Sequence, residues 1–318
     1  MPQTNQAPVL LANSTLPTFD SFYPLGNRGG GGSTFNITGS GFGTKTTGVP
    51  AYDDWETSST GLVGSTIGQL SVSSTGATSI TTSLSHSGTK SLTHDYLTQD
   101  FPKLYREFAT RSRYARMSCW WRWTGSITSS SVWKLLRFNT GATDPYSGTN
   151  RFSAEYTGGA GADRPSAFSG ITYIDEVINE YSGSNEVADR MDLFTSDTWH
   201  FIEWEIDAGT VNGNNAIIRQ KLDGIENIRY TNTPFLTTAN PNEIKFIMSV
   251  INGLDGATNR NVQYYVDELY SDGSLCHVVM TNNATYTSST NWAEQPVSTW
   301  SDTSIECTYN RGSFTIGA

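Results

Sequence analysis

Apolar and polar residues alternate along this chain in short runs, and no long stretch repeats apolar residues at helical spacing. Over 113–123, Cys119, Trp121 and Trp123 fall on one face of an extended segment and Trp120 and Arg122 on the other. Over 198–207, Ile202, Trp204 and Ile206 share a face opposite Glu203, Glu205 and Asp207. The same reading predicts strands over 90–96, 133–138, 152–156, 171–181, 216–222, 243–251 and 262–270. Turn signals punctuate them at Thr124-Gly125, Asn139-Thr140-Gly141, Asp223-Gly224, Asn252-Gly253 and Asp272-Gly273. Many strands with such regular punctuation predict an all-β, two-sheet sandwich.

Composition narrows the partners. The 318 residues are enough for about two domains. Only 16% are charged, 30 are glycine, and the net charge is −10. An acidic surface repels phosphate backbones and anionic lipid, so neither nucleic acid nor membrane is the expected partner. The N-terminal sequence MPQTNQAPVLLANSTLPTF has no basic n-region and only a short apolar run, which predicts no secretory signal. Three cysteines, Cys119, Cys276 and Cys307, do not make a disulfide framework. A Cys276–Cys307 bridge and buried free thiols both fit, the thiols being the plainer reading.

Two stretches carry a resemblance. Pro17-Thr18-Phe19, Tyr23-Pro24, Gly29 to Gly32 and Thr34-Phe35-Asn36-Ile37-Thr38-Gly39-Ser40-Gly41-Phe42-Gly43 resemble the first half of an IPT/TIG domain, an immunoglobulin-like fold. Its second half resembles Cys276-His277-Val278-Val279-Met280 and Trp300-Ser301-Asp302-Thr303-Ser304-Ile305 near the other end of the chain. Between them, Gly88-Thr89-Lys90-Ser91-Leu92, then Trp199-His200-Phe201-Ile202-Glu203-Trp204 with Leu222-Asp223-Gly224, then Tyr265-Val266-Asp267-Glu268-Leu269-Tyr270 resemble, in order, landmarks of the concanavalin A-like lectin/glucanase superfamily. The expected architecture is a concanavalin A-like jelly roll over 49–272 inserted in a small immunoglobulin-like sandwich formed by 17–48 and 273–318, with an arm over 1–16. Loop-closure entropy rises only logarithmically with length, so such an insertion is tolerable. The combination resembles proteins of phage particles. It implies a particle-surface structural protein whose partners are other virion proteins, copies of itself and host-surface glycans; the alternatives are a secreted polysaccharide-active enzyme or a free extracellular lectin.

Catalytic frames are incomplete. Laminarinase-like members of the superfamily use E-x-D-x-x-E on one strand. Here Glu205-Ile206-Asp207 is followed by Gly209 and Thr210 where the last acid belongs, and a retaining glycosidase needs both carboxylates. If Arg219 and Lys221 face the acids, the strand is a cross-strand charge ladder. Alginate-lyase-like jelly rolls carry R-(S/T)-E, Q-(I/V)-H and a tyrosine-rich last strand. Arg106-Glu107, Trp199-His200 and Tyr264-Tyr265 are the nearest pieces and do not match. The sequence therefore reads as non-catalytic.

Binding candidates remain. Trp120, Arg122, Arg137 and Tyr173 suit a sugar site, because aromatic faces stack on sugar C–H surfaces and guanidinium groups bond hydroxyls. Asn252, Asp255 and Asp267 offer hard oxygen ligands for a structural Ca²⁺, though ordinary turn chemistry explains Asn252 and Asp255 equally well. No other cofactor is expected. The four histidines, His86, His94, His200 and His277, show no metal-ligand spacing along the chain.

Overall fold

The structure is a computed structural model and describes residues 34–45, 50–62, 66–67, 70–72, 78–95, 104–126, 132–141, 151–158, 165–171, 195–238, 241–249, 254–255 and 261–314. In chain order the first strands are β1 (Thr34–Thr38), β2 (Ala51–Asp53), β3 (Gly61–Leu62), β4 (Thr66–Ile67), β5 (Leu70–Val72) and β6 (Thr78–Thr81). They are followed by β7 (Ser91–Asp95), β8 (Leu104–Ser112), β9 (Tyr114–Ser126), β10 (Val132–Asn139), β11 (Arg151–Gly158) and β12 (Pro165–Ile171). Next come β13 (His200–Asp207), β14 (Asn214–Leu222), β15 (Ile225–Pro234), β16 (Ile244–Ser249), β17 (Leu254–Asp255) and β18 (Asn261–Asp272). The last are β19 (Val279–Thr281), β20 (Trp292–Glu294), β21 (Val297–Trp300) and β22 (Ser304–Thr308).

Two large antiparallel sheets make the sandwich. One runs β15-β14-β13-β9-β18-β7-β6-β3, with β2 beside β18; the other runs β12-β11-β10-β16-β8-β5-β4, with β17 beside β10. Their facing sides form one core, because the two-residue period sends alternate side chains inward. From β9 it takes Ala115, Met117, Cys119, Trp121 and Trp123; from β13, Ile202, Trp204 and Ile206. The opposite sheet contributes Leu104 and Phe108 of β8, Leu136 and Phe138 of β10, and Ile244 and Ile247 of β16.

The β14–β15 hairpin shows how sequence sets a local shape. Asp223 and Gly224 both have positive φ, 49° and 75°, as a two-residue hairpin turn of the I′ kind demands. A Cβ on Gly224 would also sit 2.8 Å from the Trp292 ring, so side-chain bulk is excluded twice over.

The ends of the described chain meet in a third, smaller sheet of order β1-β22-β21. Phe35 lies opposite Cys307 and Ile37 opposite Ile305. Val297, Ile305 and Cys307 are buried there, with Phe35, Ile37, Phe42, Val278 and Trp300 packed against them. Trp300 Nε1 donates to the Phe42 carbonyl at 3.1 Å, tying the glycine-rich turn after β1 to the end of β21. A separate hairpin, β19-β20, lies against the large sandwich. All three cysteines are free, so the Cys276–Cys307 bridge is not formed. Residues 1–33, which include the expected arm, lie outside the described residues.

Trp204 is 1% exposed at the centre of the core. Trp204→Ala is expected to lower unfolding free energy by about 3–5 kcal/mol. Urea denaturation checks this, and an unchanged midpoint would mean the ring is not core.

Candidate functional site

The outer face of β9, β13 and β14 is polar, yet it is covered. The segment from His277 to Glu294 packs over it and brings His277, Tyr286, Trp292 and Glu294 down onto the sheet. At the centre lies Arg116, 0% exposed. Its guanidinium pairs Glu203 at 2.6 Å, Glu294 at 2.5 Å and Glu205 at 3.6 Å. Lys221 approaches Glu203 at 3.7 Å and Glu205 at 3.5 Å from β14. The Tyr286 hydroxyl donates to Glu203 Oε2, and the Ser118 hydroxyl donates to Glu294 at 2.7 Å. The expected ladder register is present, with Glu203 opposite Lys221 and Glu205 opposite Arg219. Arg219, however, pairs with Glu226 at 3.8 Å. The cation that organises the acids is Arg116 on the other neighbouring strand.

Burial penalises every charge in this group, and the ion pairs answer it. For Glu203, burial pushes the carboxyl up, but Lys221, Arg116, His277 and the Tyr286 hydroxyl pull it down to about 2. Glu205 is lowered in the same way. Burial pulls Arg116 down, and Glu294, Glu203 and Glu205 more than reverse it. Burial and then Arg116 lower His277, which stays neutral, its Nδ1 donating to the Leu275 carbonyl at 2.9 Å.

The sugar-site candidates are not brought together. Trp120 is 4% exposed beneath the C-terminal segment, stacked on His86 with ring centroids 3.6 Å apart and packed on Phe201 and Trp292. Its indole N–H donates to the Trp292 carbonyl at 3.1 Å. Arg122 shares that sheet and lies 3.6 Å from Asp197. Arg137 sits on β10, in the other sheet. Tyr173 lies outside the described residues.

Of the calcium candidates, Asn252 lies outside the described residues and Asp255 falls in β17, opposite Val132. Asp267 is fully buried and accepts backbone N–H groups of His86, Ser87 and Glu268 at 2.9, 3.0 and 2.8 Å. Burial, then Glu268, raises its carboxyl. His200 resembles a catalytic base, with Nδ1 2.8 Å from Asp223. Its Nε2 lies 3.2 Å from both the backbone nitrogen and the carbonyl oxygen of Thr195, so the ring clamps the loop before β13.

The second polar face belongs to β8, β10 and β16. Core residues alternate with Tyr105, Glu107, Arg137 and Asn139, which therefore face away from the core. Arg137 and Tyr105 both lie opposite Met248 in register; Asn139 and Glu107 both lie opposite Phe246. Arg137 is 7% exposed, Asn139 and Phe246 are buried, Tyr105 is half-buried, and Glu107 is exposed. Tyr105 meets Phe246 edge-on, ring centroids 6.1 Å apart. Sequence reading found Arg137 alone. Alternation in Leu104-Tyr105-Arg106-Glu107-Phe108 was the available signal for the rest.

No protein-family model matches the chain, and no curated protein matches it. Solved structures similar to it include alginate lyase Aly36B, at 12% identity and a TM-score of 0.48 over 71% of this chain and 97% of that one. An endo-β-1,4-glucuronan lyase from the fungus Trichoderma reesei gives 11% and 0.41 over 70% and 94%. A PL-14 alginate lyase from Aplysia kurodai gives 13% and 0.43 over 62% and 87%. Likeness at this level is one of general fold and assigns no chemistry. The expectation that the chain is not an enzyme does not stand, because the incomplete glucanase frame on β13 excludes only that one chemistry. Polysaccharide lyases are among the structures the chain is similar to in general fold.

Two outcomes follow. Arg116→Met leaves buried glutamates unpaired and is expected to cost about 3–5 kcal/mol at neutral pH. In the wild type, Glu203 is depressed to about 2, so its stabilisation is present above the ordinary glutamate range and lost as pH falls towards 2. The gap between variant and wild type should therefore narrow in acid, as melting curves across pH would show. Asp53 has the opposite sign. Burial raises it to about 6, so stability is lost as pH rises from about 4 to 6. Asp53→Asn should flatten the melting profile in that window; an unaltered profile would mean the carboxyl is not desolvated.

Proposed function

We propose that the chain is a polysaccharide-active jelly roll that takes its ligand across β10, β16 and β8. One observation carries this reading: the convergence of Arg137, Asn139, Tyr105, Glu107 and Phe246 on the outer side of that sheet. The inner faces are filled by core, and the outer side of β9 and β13 is occupied by the C-terminal segment. Two strand spacings put the Cα atoms of Arg137 and Tyr105 about 10 Å apart.

That combination suits an acidic sugar. The guanidinium of Arg137 pairs a uronate carboxylate in a bidentate fashion, and the Asn139 amide supports it. Neutralising the carboxylate acidifies the neighbouring C5–H. Tyr105 serves as base and then acid: its phenolate takes the C5 proton, the C5–H electron pair forms the C4=C5 double bond as the C4–O bond breaks, and the resulting phenol returns the proton to the departing oxygen, leaving an unsaturated sugar end. The particle-surface reading has no comparable observation behind it. The small sheet of β1, β22 and β21, IPT/TIG-like in sequence, would serve as a mount for the sandwich.

The test is incubation of the full chain with alginate, glucuronan and a neutral β-glucan, following unsaturated product by ultraviolet absorbance and binding by calorimetry. The expected result is product from an acidic polysaccharide, reduced about 100-fold or more in Arg137→Ala and Tyr105→Phe with melting behaviour retained. Binding without product would make the same face a lectin site. Neither binding nor product, or variants equal to wild type, would remove the proposal.

A further inference from the structure

The covered face holds a group that the charge network does not exhaust. Glu203, Glu205 and His277 each offer a ligand atom, and the three atoms lie within 4.8 Å of one another. The two glutamates are successive outward residues of β13, and the imidazole arrives from the C-terminal segment. Because His277 Nδ1 donates to the Leu275 carbonyl, its Nε2 carries the lone pair. Three glutamates, Glu203, Glu205 and Glu294, face two cations, Arg116 and Lys221, which leaves one formal negative charge. A residual negative charge at a cluster of ligand-type side chains attracts a further cation.

The geometry points to a divalent transition-metal site of the zinc class, held by Glu203, Glu205 and His277. One imidazole with two carboxylates is a donor set for zinc; Ca²⁺ takes six to eight oxygens and Mg²⁺ a near-octahedral oxygen shell. Arg116 is sealed in and stays with Glu203 and Glu294. Lys221 is the exchangeable cation. Its side chain is 18% exposed, it holds the glutamates only at 3.5–3.7 Å, and its stem can turn to water. Metal entry is thus a cation exchange: the ammonium leaves the glutamates, and the ion takes its place between them and His277. The plain alternative is a salt-bridge network in which Lys221 stays between the two glutamates and the residual charge is met by water.

The two differ in what Lys221 does. The full chain, stripped with a chelator and dialysed, is titrated with zinc sulfate, with magnesium and calcium salts as comparators. One zinc per chain and a rise in melting temperature are expected, without a matching response to magnesium or calcium. His277→Gln should weaken zinc by more than about 100-fold, beyond what loss of an outer-shell partner costs. Lys221→Gln should tighten it by removing the competitor. If Lys221→Gln does not fold, Glu205→Gln takes its place and should weaken zinc as His277→Gln does. The proposal is overturned if the wild type shows no saturable zinc binding, if His277→Gln binds as the wild type does, or if Lys221→Gln leaves affinity unchanged.

Discussion

A guanidinium with no exposure to water sits between a β-sheet and the segment that follows it, and the arrangement of the molecule depends on its being matched. Burying Arg116 alone would cost several kcal/mol, and burying Glu203 or Glu294 alone would cost as much. Each becomes tolerable only when β9, β13 and β20 are all in place, because the three charges come from those three strands. The network is therefore less a source of net stability than a condition on geometry: no partly docked arrangement satisfies it. Around it, Trp120, Phe201 and Trp292 supply the apolar area, Phe201 and Trp292 stacking with centroids 5.6 Å apart and planes 4° from parallel. The Tyr270 ring lies 5.6 Å from the Arg116 guanidinium carbon. Residues 277–294 thus complete the sandwich as structural parts of it.

That condition decides where chemistry can be offered. A sandwich has two outer faces, and one of these is taken up by charge pairing and stacking. On the other, Tyr105, Glu107, Arg137 and Asn139 stand in two rows across three strands, with Glu107 exposed, Tyr105 half-buried and Arg137 and Asn139 buried. A net charge of −10 opposes the approach of an acidic polysaccharide. Screening confines that opposition to about 8 Å at physiological ionic strength, so in the proposed contact the local pairing of a carboxylate with Arg137 would govern binding. The global charge then acts on association rate and salt dependence more than on which sugar fits.

Much of the fold was legible in the chain, and the failures have a common cause. β9, β13, β14 and β18 were readable because one side of each is continuously apolar and the turns between them carry glycine beside a polar residue. β8 was missed because Arg106, which alternation sends inward, reaches the Ser271 carbonyl, and an inward arginine breaks the pattern. β15 was missed because Ile225 to Pro234 mixes Glu226, Asn227 and Arg229 into the strand, with Asn227 buried against Gln220. Alternation sets Trp120 on the face opposite Cys119, Trp121 and Trp123, and Glu203 on the face opposite Ile202, Trp204 and Ile206. It could not show that residues 277–294, far later in the chain, would cover those faces. Trp120 and Phe201 on the outward side of strands whose inward side is also apolar were the one available sign, since strands buried on both faces lose their polar side.

The same reasoning links the two faces. The rows proposed to meet the ligand lie on strands whose inner side chains, Leu136, Phe138, Ile244 and Ile247, share one core with Trp121, Trp123 and Trp204 of the opposite sheet. Trp121 and Trp204 belong to β9 and β13, the strands that Arg116 and its glutamates lock together from outside. A close-packed interior transmits displacement, because no void is available to absorb it. The charge network thereby fixes the back of the core, the core fixes the register of β8, β10 and β16, and that register sets the spacing of Arg137 from Tyr105. Two side chains that must meet one sugar at a defined separation are better held by strands than by loops. Here the rigidity of those strands is maintained from the far side of the molecule.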